Sequence, residues 1–275
     1  MTIAPSFGPD LLSLAAEVRA TVLFAVPTMY RRLLDDHRFG PGSLPDLRLA
    51  VSGSAALPTD LFAAIEERLG MPPLERYGTT ESGLDISNLY DGLRRAGSVG
   101  VPLPGVEVRL RRADGGDVAE GEPGEVCIRG PQVFDGYLDD DASTEATMWP
   151  GGWFRTGDIG VCDVGSGPVS IVGRLKEMIV SGGMNVYPAE VEDVLARHPG
   201  VEEVAVAGRP SDRWGEEVVA FVVRRAAVST TDLLALVKTQ LAPYKCPKDV
   251  VFVSELPRNA MGKVVRTHLV DESLR

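Results

Sequence analysis

Short apolar runs alternate with helix-length amphipathic segments through the first third of the 275-residue chain, and this alternation restricts the fold more than any other feature. Thr21-Val-Leu-Phe-Ala-Val26 is an apolar run stopped by Pro27, which reads as a buried strand. A helix follows from about Thr28. Next come a strand Leu47-Arg-Leu-Ala-Val51, a helix with Leu61, Phe62, Ile65 and Leu69 on one face, and a strand entering Tyr77. Ahead of them, Leu11, Leu12, Ala15 and Ala16 fall at helical spacing. A helix between two strands gives the chain length enough to cross back and run parallel to its starting strand, so the expected architecture is a doubly wound parallel α/β sheet.

The pattern changes twice more. From about Gly97 to Gly173, short alternating strands such as Val106-Glu-Val-Arg-Leu110 and Glu125-Val-Cys-Ile-Arg129 are punctuated by Gly-Pro and Asp-Gly turns, which predicts a small β-barrel-like subdomain. Beyond it, Pro188 starts a helix with Val191, Val194 and Leu195 inside, ended by His198-Pro-Gly200. Strands near 201–207 and 218–223, a helix carrying Leu233, Leu234, Val237 and Leu241, and a strand Val250-Val-Phe-Val253 complete a small α+β C-terminal domain. The expected division is 1–96, 97–173 and 174–275, with the boundary before the last domain near Gly173–Lys176.

Composition narrows the function classes. The 39 acidic and 28 basic residues leave a net charge of -11, which repels nucleic acid and anionic lipid unless a basic patch overrides it, and no Lys/Arg run of that kind occurs in the sequence. The three cysteines, Cys127, Cys162 and Cys246, are far apart and form no CxxC pair, so neither a disulfide framework nor a zinc site is indicated. No apolar run approaches the roughly 18 residues of a spanning helix. The N-terminus lacks a signal-peptide pattern. A cytoplasmic protein without a membrane span is expected.

Polar or Gly-rich chemistry recurs at predicted strand ends, where open α/β sheets bind ligands. The segments are Ser52-Gly-Ser-Ala-Ala56, Glu75-Arg-Tyr-Gly-Thr-Thr-Glu81, Phe154-Arg-Thr-Gly-Asp158 and Gly173-Arg-Leu-Lys176. The loop Val180-Ser-Gly-Gly-Met-Asn-Val-Tyr-Pro188 and the stretch Leu256-Pro-Arg-Asn-Ala-Met-Gly-Lys263 join them. Singly, each has a plain structural explanation. Ser52–Ala56 fits a tight strand-to-helix turn. Thr79 or Thr80 with Glu81 fits a helix cap. Arg155 and Asp158 fit a surface ion pair, and Arg174 with Lys176 a solvated linker charge. The Ser-Gly-Gly loop fits a connector, and Lys263 an ordinary surface lysine.

Taken together, their order and flanking residues resemble the adenylate-forming superfamily of acyl-CoA synthetases, luciferases and peptide-synthetase adenylation domains. The likeness runs from Val26-Pro-Thr-Met-Tyr30 to Lys263. The Ser52-Gly-Ser-Ala, Glu75-Arg-Tyr-Gly, Ser87-Asn-Leu-Tyr-Asp-Gly92 and Ala96-Gly-Ser-Val-Gly100 stretches are most similar to those of malonyl-CoA synthetases and their relatives.

The resemblance implies an ATP-dependent, AMP-forming acid–thiol ligase that uses a small carboxylic acid, ATP, Mg²⁺ and coenzyme A. In that reading Lys263 contacts the carboxylate and the α-phosphate during adenylation, where two anions must be brought together. Thr80 is the hydroxyl ligand to the α-phosphate. Glu81 helps to hold Mg²⁺, an oxygen-seeking cation. Tyr77 stacks on adenine, with Gly78 beside it and Ser54, Ala55 and Ala56 on the other side, and Glu75 belongs to the same nucleotide site. Asp158 accepts both ribose hydroxyls, and Arg174 lies toward ribose and phosphates. Lys176 corresponds to a hinge about which the C-terminal domain turns. Gly182 and Gly183 then admit the pantetheine arm, a use of glycine that asks only for missing side chains.

Two departures stand out. The Ser/Thr/Gly-rich phosphate loop ending in Pro-Lys has no match here, nor does the segment lining the acyl pocket, so the chain reads as the C-terminal part of such an enzyme, impaired or inactive alone. A separate chain supplying the other half is one expectation, and uncovered strand edges and apolar surface are another. The arginine that grips the second carboxylate in malonyl-CoA synthetases is absent from the apolar stretch Leu61–Ile65, which favours a monocarboxylic acid. No carrier domain follows Lys263 before Arg275, which favours coenzyme A as acceptor. The competing readings are a non-catalytic interaction module derived from such an enzyme and an adenylation subunit that loads a separate carrier protein.

Overall fold

The computed structural model describes residues 11–162, 167–258 and 264–273. The chain forms two compact units, Met1–Ile171 and Val172–Arg275.

In the first unit, helix α1 (Leu11–Glu17) leads to strand β1 (Val22–Ala25), helix α2 (Pro27–Asp35), strand β2 (Leu49–Ser52), helix α3 (Thr59–Leu69) and strand β3 (Leu74–Tyr77). β1 pairs parallel with β2, and β2 with β3, as the alternation of patterns predicts. Pro27 opens α2, where its missing N–H would have no helical partner in any case. Gly70 ends α3 in a left-handed conformation (φ 70°), its N–H on the carbonyl of Glu66. The four predicted inner residues of α3, Leu61, Phe62, Ile65 and Leu69, are all buried. They share one cluster with Tyr30 and Leu33 of α2 and Ala25 and Ala50 of the strands. Burial of side chains this large is worth about 1.5–3 kcal/mol each, so packing holds these short helices where propensity alone would not. Tyr30, fully buried, donates its hydroxyl to the carbonyl of Val51 at 3.0 Å and fastens α2 to the sheet.

Two short strands, β4 (Ile86–Ser87) and β5 (Val101–Pro102), extend this sheet antiparallel in the order β1-β2-β3-β4-β5. Both are too short to carry a period. The rest of the unit comprises β6 (Glu107–Arg111), β7 (Gly124–Arg129), helix α4 (Asp141–Thr147), β8 (Met148–Trp149), β9 (Trp153–Cys162) and β10 (Val169–Arg174). They form a curled half-barrel sheet in the order β10-β9-β7-β6, with β8 on β9. Phe154–Asp158 lies within β9 and not at a strand end. Glu125 pairs with Ile159 and Cys127 with Arg155, so Val126 alone faces Thr156, Gly157 and Asp158 in a bulge. Gly157 makes the bulge with φ 69°, a conformation costly for other residues.

The second unit begins its own fold with a 3-10 turn, Leu175–Glu177. Strands β11 (Ile179–Ser181) and β12 (Met184–Val186), helix α5 (Pro188–Ala196), strands β13 (Val201–Ser211) and β14 (Gly215–Arg224), helix α6 (Thr230–Gln240), strand β15 (Asp249–Val253) and helix α7 (Arg266–Ser273) follow. The sheet order is β12-β11-β14-β13, with β15 parallel to β14. Alternate residues of β14 serve two cores. Val218, Ala220 and Val222 pack with Val191, Leu195, Leu233 and Val237 of α5 and α6, while Val219 and Phe221 pack with Leu256 and with Leu269 of α7. A strand covered on both faces reads as a continuous apolar run, which is how Val218–Val223 appears in sequence. β13 and β14 extend past the predicted ends to a tight connection between Ser211 and Gly215, through polar residues that carry no apolar signal.

Candidate active site

β3 delivers Tyr77 to a turn in which Gly83 N–H bonds the carbonyl of Thr79 at 2.8 Å. No helix follows, so Thr79 and Thr80 are not caps. A Cβ at Gly78 would lie 1.9 Å from the carbonyl oxygen of Gly83, so the turn closes only because this residue has no side chain. Beneath it, the hydroxyls of Thr79 and Ser82 are 2.9 Å apart, Ser82 donates to Asp85 Oδ2 at 2.5 Å, and Gln132 Nε2 donates to Asp85 Oδ1 at 3.0 Å. Ser82 and Asp85 are buried, so this network fixes the loop from below.

The Tyr77 hydroxyl donates to Asp158 Oδ2 at 2.7 Å, joining two of the predicted site residues across the two sheets of this unit. Burial, followed by the charge of Asp158, pushes the Tyr77 phenol far above its ordinary range, so it remains a donor. Asp158 is 3% exposed and is no surface charge. Arg155 pairs with Glu125 at 2.9 Å. The β9 bulge is pinned by Thr156 Oγ1 donating to the carbonyl of Val126 at 2.8 Å and by Gly157 N–H donating to Glu125 Oε1 at 3.2 Å.

Thr80 is exposed at the tip of the turn. Glu81 accepts the Tyr137 hydroxyl at 2.9 Å on Oε1, and its carbonyl accepts Phe134 N–H at 2.8 Å. Tyr137 was not anticipated. It lies 56 positions from Glu81 in a loop without periodic pattern, and only the Gly136-Tyr137 pair after a turn marks it. Among the described residues, no three His, Cys, Asp or Glu side chains gather as a metal cage. A lone partly exposed carboxylate of this kind suits Mg²⁺ shared with phosphates, since that ion keeps most of its ligands from water and nucleotide.

Ser54, Ala55 and Ala56 are exposed on the loop after β2, with Ser54 at φ 68°, an uncommon conformation for a residue with a side chain. Glu75 is placed differently from its neighbours in the motif. It is 4% exposed, its Oε1 is buried without a hydrogen-bond partner, and burial pushes its carboxyl up to about 8, opposed by the nearby backbone N–H groups of Gly97 and Leu57. Its carboxyl group therefore lies inside the fold, close to the backbone of Leu57 and Gly97.

In the second unit, Arg174 and Lys176 are exposed, at the end of β10 and in the following 3-10 turn. Gly182 and Gly183 form the two-residue loop of the β11–β12 hairpin, with Ser181 paired to Met184. Their φ angles are 58° and 80°, the pair of positive values a type I′ turn requires. The turn thus does demand a special backbone conformation, contrary to the sequence reading. A Cβ on Gly182 would press to 3.0 Å against the Trp214 ring, whereas Gly183 faces open space. Lys263 lies outside the described residues.

The AMP-binding enzyme family matches residues 1–138, and the AMP-binding enzyme C-terminal domain matches residues 190–263. The chain belongs to the AMP-binding enzyme family. Indoleacetate–CoA ligase of Aromatoleum aromaticum is 40% identical over 269 residues, which are 96% of this chain and 52% of the relative. A long-chain-fatty-acid–CoA ligase of Escherichia coli O157:H7 is 39% identical over 267 residues, 96% of this chain and 47% of the relative. ATP-bound MatB from Rhodopseudomonas palustris superposes with a TM-score of 0.92 at 42% identity, covering 98% of this chain and 54% of that one. The chain spans about half the length of the curated relatives it matches. Among its described residues no helix is long and apolar enough to cross a membrane. Both of the curated relatives named above are CoA ligases.

Proposed function

We propose that these residues are the C-terminal part of an ATP-dependent acid–CoA ligase that forms an acyl-adenylate and then a thioester. The observation that carries this reading is the 2.7 Å bond between Tyr77 and Asp158 beside a turn that tolerates no side chain at Gly78. A buried carboxylate offered by a bulge next to an aromatic ring suits a nucleoside: Asp158 accepts ribose hydroxyls, and Tyr77 lies against the base with the Ser54–Ala56 backbone opposite. Thr80 donates to the α-phosphate. Glu81, steadied by Tyr137, holds Mg²⁺, which would neutralise phosphate charge. Glu75 serves the site from inside the fold, close to the backbone of Leu57 and Gly97. Lys263 supplies the ammonium that offsets repulsion between carboxylate and α-phosphate, Arg174 adds charge toward ribose and phosphate, and rotation about Lys176 exchanges Lys263 for the Gly182-Gly183 turn, past which the coenzyme A thiol enters. A monocarboxylic acid is the expected substrate, and the cytoplasm its setting.

AMP binding to the 275-residue chain, followed by saturation-transfer NMR, tests the nucleotide site. Wild type gives transfer to the adenine and ribose protons. Asp158→Ala weakens binding about tenfold or more, as expected for charge-assisted bonds worth about 1.5–3 kcal/mol. No transfer from wild type, or equal affinity in Asp158→Ala, overturns the reading.

A second reading, that another polypeptide segment completes this sheet, is favoured by β1. Val22 and Phe24, on the face away from the α2–α3 core, are 41% and 53% exposed. Among the described residues no strand pairs with the outer edge of β1. An earlier part of a longer chain or a separate subunit would cover that face, and native mass spectrometry of the protein from its own cells separates the two by mass.

A further inference from the structure

Arg266 begins α7, three residues after Lys263, and its side chain is 22% exposed. Its guanidinium is divided among three elements of the second unit. Nη1 donates to Glu177 Oε2 at 2.8 Å, in the turn directly after Lys176. Nη2 donates to Glu192 of α5, at 2.9 Å to Oε1 and 3.2 Å to Oε2, and Nε donates to the carbonyl of Val206 in β13 at 3.1 Å. Glu192 also accepts the Val206 N–H at 2.7 Å, so the cluster closes on itself. Burial raises the Glu192 carboxyl, and the charge of Arg266 opposes that rise.

The chemistry of this cluster is specific to arginine. A planar fork can serve two carboxylates and a carbonyl at fixed angles, which a lysine ammonium cannot reproduce. A cation in the first turn of a helix faces the unfavourable end of the dipole, and the two carboxylates offset that cost. Removing one partner from such a partly buried set leaves an uncompensated charge, so the cluster holds together or fails together.

We propose that Arg266 is a positioning residue that fastens the turn bearing Lys176 to α7, α5 and β13, so that the turn and α7 open together. The functional meaning rests on the ligase reading above, but the mechanical coupling does not. Glu177 and Arg266 are 89 positions apart in sequence, and this ion pair gives a substitution at one a direct route to the other.

Hydrogen–deuterium exchange of the 275-residue chain tests the coupling with Arg266→Ala, Arg266→Lys and Glu177→Gln. Arg266→Ala is expected to speed exchange about tenfold or more in residues 175–180 and 264–270 together, while 218–222 stay protected. Arg266→Lys restores protection in part. Glu177→Gln speeds exchange in 264–270 despite its distance in sequence. Should Arg266→Ala not fold, Glu177→Gln in its surface turn decides. Exchange in 264–270 within about twofold of wild type in Glu177→Gln overturns the proposal, as does an even rise across the whole unit in Arg266→Ala. A chain that fails to bind AMP yet shows the paired response refutes the ligase reading and leaves the coupling standing.

Discussion

Glu75 belongs to a recognisable motif and yet faces inward, and its charge state is the measurable consequence. Its folded value of about 8 lies above the ordinary 4.5, so the folded state keeps a proton that the unfolded chain releases. The contribution of Glu75 to stability is complete below about 4.5 and declines as pH rises toward about 8, by an amount of order a few kcal/mol. Urea midpoints across that range are expected to fall in wild type and to fall less in Glu75→Gln, and equal slopes would show that the carboxyl is ionised in the fold. At this scale the sequence singled out Tyr77 and Asp158, whose side chains meet at 2.7 Å. It was silent on the partners. Tyr137 with Glu81, and Gln132 with Asp85, meet across 56 and 47 positions through loops, and no period or spacing encodes such meetings.

Among the elements, the β11–β12 hairpin changes how its glycines must be tested. Leu at position 183 places a branched side chain at φ 80°, which costs about 1–2 kcal/mol before any ligand is considered. Asn tolerates that conformation and meets open space. Gly183→Asn is therefore expected to unfold within about 1 kcal/mol of wild type in urea, and Gly183→Leu to be destabilised by more. In a full-length form of the enzyme, Gly183→Asn also becomes the sounder probe of thiol entry: loss of thioester formation with adenylation intact supports the passage, and wild-type transfer argues against it. The stripes of α3 and α5 were legible because a buried helical face repeats every three or four residues. The β9 bulge was not, because Gly157 reads equally as a turn, and only its pairing with β7 tells the two apart.

For the molecule as a whole, family and architecture followed from the order of motifs, whereas β4 and β5 and the full length of the β13–β14 pair did not. No Ser/Thr/Gly-rich loop ending in Pro-Lys occurs in these 275 residues, so the chain by itself is expected to catalyse no acid-dependent exchange of pyrophosphate into ATP, tested over a panel of short and medium acids. Robust exchange would show that the residues present suffice. The long β13–β14 pair has a further consequence, for the order in which the chain acquires structure. Its register is set across a connection of a few residues, whereas β1 must wait for β2 across the whole of α2 and the loop after it. Contacts close in sequence form sooner, because less chain entropy is lost in closing them. During refolding of the complete chain the second unit can therefore consolidate while the parallel sheet is still incomplete, and Phe24 then lies on an edge strand without cover, where the concentration of unfolded chains decides between folding and aggregation.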